Sequence, residues 1–139
     1  MRDIKFRAWD KEGKVMIDWF WLSSEGNLYE TPFIVYDTPH LELERNDDLV
    51  AMQYTGLKDK NGAEIYEGDI VKRTYLFDGS FGKTHIGEVV YDKEYARYVI
   101  SKPQKYTEPK TEDIRNSLSE RSTYEVIGNI YQNKHLLEE

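Results

Sequence analysis

The segment QYTGLKDKNGAEIYEGDIV, residues 53–71, constrains the fold more than any other part of the chain. It carries three glycines, a Lys-Asp-Lys run and an Asn-Gly step, and it runs straight into Ile70-Val71. Asp59-Lys60-Asn61-Gly62 reads as a β-turn, because Asp accepts local backbone N–H bonds while Asn and Gly tolerate the left-handed region. Thr55-Gly56 is expected to break a buried strand over Leu49 to Tyr54. Gly68-Asp69 reads as a second turn, launching a strand from Ile70 to Leu76. Such a stretch is either a ligand loop or the scaffold of a small β-barrel. Closely spaced turns feeding apolar strand starts favour the scaffold, with the turns setting strand register.

The flanking sequence has the same character. Ile4, Phe6 and Ala8 alternate with Lys5, Arg7 and Trp9, the period of a half-buried strand. Asp10 to Gly13 forms a turn, with Gly13 supplying a positive φ, and Val15, Ile17, Trp19 and Trp21 fall on one face of a second strand. Leu28 to Tyr36 is strand-like but interrupted by Pro32, and His40 to Asp48 suits a short helix or a loop. Beyond the central turns, Asp78 to Gly82 is a third turn. His85 to Tyr91 and Tyr95 to Ser101 pair around Asp92-Lys93-Glu94. Lys102 to Lys110 is a loop, Thr111 is placed to cap a short helix, and Tyr124 to Ile130 closes the pattern as a strand. Eleven tyrosines strengthen the strand reading, since the ring lies well on a pleated surface. The expectation is an all-β chain with little helix: an N-terminal β region over 1–52 and a small barrel over 53–139, sharing one compact unit or forming two.

Several chemistries fall away. The chain has no cysteine, so disulfides, thiol nucleophiles and cysteine-based zinc sites are excluded. Gly82-Lys83-Thr84 matches the end of a phosphate-cradling loop, but Phe77 stands where the motif needs its first glycine, and a strand pattern follows where it needs a helix. The Asp59 turn has its glycine in the wrong position for a calcium loop. His40, His85 and His135 lack local partners at metal-ligand spacing, and no serine lies in a nucleophile elbow. No cofactor, metal or catalytic residue is expected. The N-terminal MRDIKFRAWD lacks the apolar core of a signal peptide, and the longest apolar run, Trp19 to Leu22, is far short of the ~20 residues of a membrane span. The expected location is the cytoplasm, without membrane contact.

Charge is distributed unevenly. Residues 18–48 hold eight carboxylates against one base, Arg45, so this window alone carries −7, equal to the net charge of the whole chain. Residues 49–110 hold ten bases and nine acids. An acidic chain repels phosphate backbones, which disfavours duplex binding. Two surfaces remain as candidates. Trp19, Phe20 and Trp21 are apolar on both faces of a strand, and covering both needs a second layer or another subunit, which makes this an oligomer or partner contact. Lys102, Lys105 and Lys110 beside Tyr106 form the base–aromatic–base pattern that single-stranded nucleic acid binders use.

Three blocks carry a family likeness. IKFRAWDKEGKVM at the start, MQYTGLKDKNGAEIYEGDIV in the middle and YEVIGNIYQN near the end together resemble the YopX family of phage and prophage proteins. The blocks fall in order and span nearly the whole chain. The tail departs from the family, which often reads Asn-Pro-Glu-Leu-Leu where this chain has Asn133-Lys134-His135-Leu136-Leu137. The resemblance implies an all-β protein with an SH3-type C-terminal barrel, a phage or prophage source, and no transferable catalytic residues. Together these readings predict a non-enzymatic β-barrel interaction module, self-associating or bound to a host or phage protein, with single-stranded nucleic acid binding as the alternative.

Overall fold

Ala8 is flanked on both sides by antiparallel strands, opposite Ile17 on one and Ala51 on the other. Ala8 is fully buried there. It belongs to β1 (Phe6–Asp10), which pairs with β2 (Val15–Ile17) and with β6 (Leu49–Lys58). In the computed structural model, which describes residues 3–30, 43–76, 82–102, 110–113 and 122–138, the chain divides into two units. One is Lys5–Gln53; the other comprises Met1–Ile4 and Tyr54–Glu139.

In the first unit, Ala8, Leu28 and Leu49 form the core, with Ile17, Phe20 and Ala51 packed against it. The β1–β2 connection departs from expectation. Its left-handed residue is Lys14, at φ 53°, and not Gly13. Gly13 is required for space instead: a Cβ there would lie 2.7 Å from Asp10 Oδ2, on a carboxylate that accepts the Glu12 N–H. The single strand expected from Val15 to Trp21 is broken. β2 ends at Ile17, and β3 (Trp21–Leu22) joins a separate three-stranded sheet with β4 (Leu28–Glu30) and β5 (Glu44–Arg45). Phe20 turns into the core between two outward tryptophans, which continuous alternation from Val15 did not foresee. The helix or loop expected over His40 to Asp48 is corrected at Glu44–Arg45, a short strand drawn in by its pairing with β4. Its first residues, and those of the Leu28 to Tyr36 segment beyond Glu30, lie outside the described residues.

In the second unit, β6 ends and β7 (Glu64–Tyr66) returns antiparallel to it. Thr55-Gly56 bulges β6 without ending it. The register slips between Tyr54 and Lys58, Gly56 takes φ 87°, and the Thr55 hydroxyl donates to Ile65 O at 2.8 Å while accepting the Leu57 N–H. A five-stranded antiparallel sheet follows, built from β8 (Asp69–Tyr75), β9 (Thr84–Asp92), β10 (Arg97–Lys102), β11 (Lys110–Asp113) and β12 (Ser122–Asn129), in the order β11-β10-β9-β8-β12. It curls into a half-barrel, consistent with the SH3-type barrel that the resemblance implies. Ile65, Val71, Val89, Ile100 and Tyr124 fill it, with Leu57, Tyr98 and Val126 against them. Gly87 lets β9 pass close to β10: a Cβ there would collide with Ile100 Cγ2 and lie 3.0 Å from Ser101 O.

The helix expected from Thr111 is corrected too. Lys110–Asp113 is strand, with Thr111 opposite Ser101. The open edge of β10 offers Lys110–Asp113 a row of backbone partners. The remainder of that segment and the third turn, apart from Gly82, lie outside the described residues. A 3-10 helix, Lys134–Leu137, ends the chain. No helix among the described residues is long and apolar enough to cross a membrane.

Candidate interaction surface

The central turns engage their polar groups internally. Asp59 Oδ1 accepts the N–H groups of Asn61 (2.8 Å) and Ala63 (2.9 Å), and Oδ2 accepts the Val126 N–H at 3.0 Å. Burial alone would raise the pKa of this carboxyl. The Val126, Ala63 and Asn61 amides, with the charge of Lys60, together outweigh burial and hold it below the ordinary carboxylate value. Asp69 is buried at the next turn and its Oδ2 accepts the Tyr66 N–H at 2.8 Å. The C-terminal block behaves alike. Asn129 Oδ1 accepts the N–H groups of Tyr131 and Gln132, its Nδ2 donates to Gln132 Oε1, and Asn133 Oδ1 accepts the Asn129 N–H. Gly128 makes room for this, since a Cβ there would collide with the Asn133 side chain. The sequence signalled the Asp59 turn. It did not signal the inward roles of Asp69 and Asn129, which depend on which backbone amides the fold leaves nearby.

Gly82-Lys83-Thr84 leads into β9, with Tyr75 donating its N–H to Lys83 O and accepting the Gly82 N–H on its own carbonyl. It closes a hairpin and opens no helix. His85 lies edge-on to Tyr75 at 5.3 Å, His135 is in the exposed first turn of the 3-10 helix, and His40 lies outside the described residues. Among the described residues, no group of three or more His, Asp or Glu side chains is placed to hold a metal ion. Glu88 is half-buried on β9. Burial raises its pKa, against the pull of the Lys134 charge, and burial together with the Glu88 charge raises that of Tyr131.

The Trp19–Phe20–Trp21 candidate divides. Phe20 packs in the core, while Trp19 is 58% and Trp21 37% exposed. Val15, Leu22 and Leu43 are exposed apolar residues of the same unit. Trp21 stands opposite Tyr29, and Tyr29 opposite Arg45, so the three form one row across β3, β4 and β5. Arg45 Nε donates to Asp47 Oδ1 at 2.8 Å. Of the lysine loop, Lys102 and Lys110 are register partners where β10 and β11 meet, and Lys105 and Tyr106 lie outside the described residues. One aromatic cluster was missed in the sequence. Tyr91 and Tyr98 pack edge-on at 5.3 Å across β9 and β10, and Arg97 Cζ lies 5.0 Å from the ring of the exposed Tyr95. The spacing of these residues around the Asp92 turn was its only signal.

The fold and these surfaces define a small, cysteine-free, all-β protein whose distinctive turn residues bind its own backbone and whose large apolar residues are partly turned outward. The family model described as YopX protein matches residues 5–138, and the chain belongs to the YopX family. It is similar to two solved structures. The crystal structure of protein EF1440 from Enterococcus faecalis is 28% identical, with a TM-score of 0.58 and 99% of each chain covered. The X-ray crystal structure of protein yopX from Bacillus subtilis is 25% identical, with a TM-score of 0.58 and 99% of each chain covered. No curated protein matches the chain.

Proposed function

We propose that the protein is a non-enzymatic accessory protein of a phage or prophage, a β interaction module that works in the host cytoplasm by holding another polypeptide. The supporting observation is the outward placement of Trp19 and Trp21 beside exposed Leu22. Large aromatic rings in water are unfavourable in an isolated molecule, and tryptophan is enriched where proteins meet. The YopX family is not a known enzyme family, in keeping with this reading. A second copy of the chain or a different protein would fill the same role. Sedimentation velocity over a wide concentration range tests the first, comparing the native chain with a Trp19→Asp, Trp21→Asp double variant. Loss of an oligomer in the variant supports self-association. A native chain that is monomeric throughout removes it and leaves the different partner.

The pairing of Lys102 with Lys110 supports a second reading, contact with single-stranded nucleic acid. Titration with an oligo-dT strand at rising salt tests it. Affinity that falls steeply with salt and is reduced by Lys102→Ala and Lys110→Ala favours this reading, and absence of binding at low salt rejects it.

A further inference from the structure

We propose that the row Trp21–Tyr29–Arg45 docks a cationic segment of a different protein, one that alternates basic residues with an apolar anchor; this rests on the reading of that face as an interface and names its occupant. Residues directly opposite in antiparallel pairs share a sheet face, so the register sets the three side chains side by side on the β3-β4-β5 sheet. Leu28, the neighbour of Tyr29 on β4, is buried in the core, which places the core on the opposite face of the sheet from this row. Tryptophan, tyrosine and arginine are the residue types that dominate binding energy at protein interfaces.

Charge selects the occupant. The row lies within the acidic window 18–48, whose described residues hold six carboxylates against one base. Asp18, Glu25, Asp47 and Asp48, outside the three strands of this sheet, are exposed. The one base of the window, Arg45, already meets Asp47 at 2.8 Å, so its charge does not offset the others. Two copies meeting through this face would bring two such windows together, and a phosphate backbone would meet the same repulsion. A lysine- or arginine-bearing segment is drawn in instead. Its cations find carboxylates at the rim and the faces of Trp21 and Tyr29 at the centre, and its apolar side chain covers the indole.

The test uses the full chain and two synthetic peptides, one alternating lysine with leucine and one of lysine alone, followed by tryptophan emission at about 50 mM and about 300 mM salt. Trp9 is buried, so a change in emission reports chiefly on Trp19 and Trp21. The alternating peptide is expected to bind, to weaken at higher salt, and to exceed the lysine-only peptide at both. Trp21→Ala is expected to weaken it about tenfold. Asp47→Lys, at a position whose side chain is 80% exposed and outside the core, is expected to weaken it by a smaller factor with the fold intact. Equal binding of the two peptides, or binding unchanged by Trp21→Ala, overturns the proposal. Self-association abolished by Trp21→Ala, with no peptide bound, overturns the cationic partner and keeps the interface. Neither peptide binding nor self-association in the native chain overturns both.

Discussion

The turn at Asp59 and the row at Trp21 place their chemistry in opposite ways. At Asp59 a charged group points inward, and three backbone amides converge on it. At Trp21 a large apolar group points outward, on a strand of two residues. The turn is by far the more conspicuous in the sequence, yet its polar atoms are already engaged by the protein itself. The row shows only its tryptophan in the sequence and leaves rings facing water. Prominence of a motif therefore measures how demanding the local backbone is. Capacity to bind something else is measured by what the fold leaves outside.

Substitutions in the two regions should separate stability from binding, and the largest effect belongs to the turn. Asp59→Ala strands three amides and is expected to lower stability by about 2–4 kcal/mol in denaturant unfolding. A loss below about 0.5 kcal/mol would mean that the turn is not the scaffold described. Gly87→Ala tests the same scaffold on the adjoining sheet. The collision with Ile100 Cγ2 is expected to cost roughly 1–3 kcal/mol, read as a lower Tm, and Ile100→Leu in the same chain, which lacks that methyl, should recover part of it. Trp21→Ala should change stability by only about 0.5–1 kcal/mol while weakening partner binding about tenfold, which would set the row apart from the turn.

Two smaller effects depend on pH. The Asp59 carboxyl is held below its unfolded value, so its contribution is present above the unfolded pKa and is lost as pH falls through the folded one. Unfolding midpoints measured from neutral pH downward should show this acid loss in the native chain and less of it in Asp59→Asn. Glu88 has the opposite sign. Its pKa is raised by burial, so ionising it at neutral pH weakens the fold. Glu88→Gln is therefore expected to raise Tm slightly at neutral pH, with the gain shrinking in acid.

Much of the fold was legible because it follows from period and turn chemistry. The strand pair read over His85 to Tyr91 and Tyr95 to Ser101, of which the second begins at Arg97, and the Asp59 and Gly68 turns needed no tertiary information. The misplaced elements share one cause. Strand β3 leaves the path of β2 because Phe20 is drawn to Leu28 and Leu49, which are distant in sequence. Lys110–Asp113 is strand because β10 has a free edge for it. Each outcome depends on a neighbour that a local window does not contain. The candidate surface was half legible for the same reason. An apolar run over Trp19 to Trp21 was plain, but which of its rings faces water, and that Tyr29 and Arg45 stand beside Trp21, required the register.

The bond from Asp59 to the Val126 N–H joins positions 67 residues apart, and the Lys60 N–H reaches Tyr124 O beside it. During synthesis the middle of this polypeptide must wait, with its carboxylate half-dressed, until the last strand has left the ribosome. Contacts so far apart along the chain slow the final step of folding. A protein shortened by its C-terminal strand would thus fail first at its centre, far in sequence from the cut.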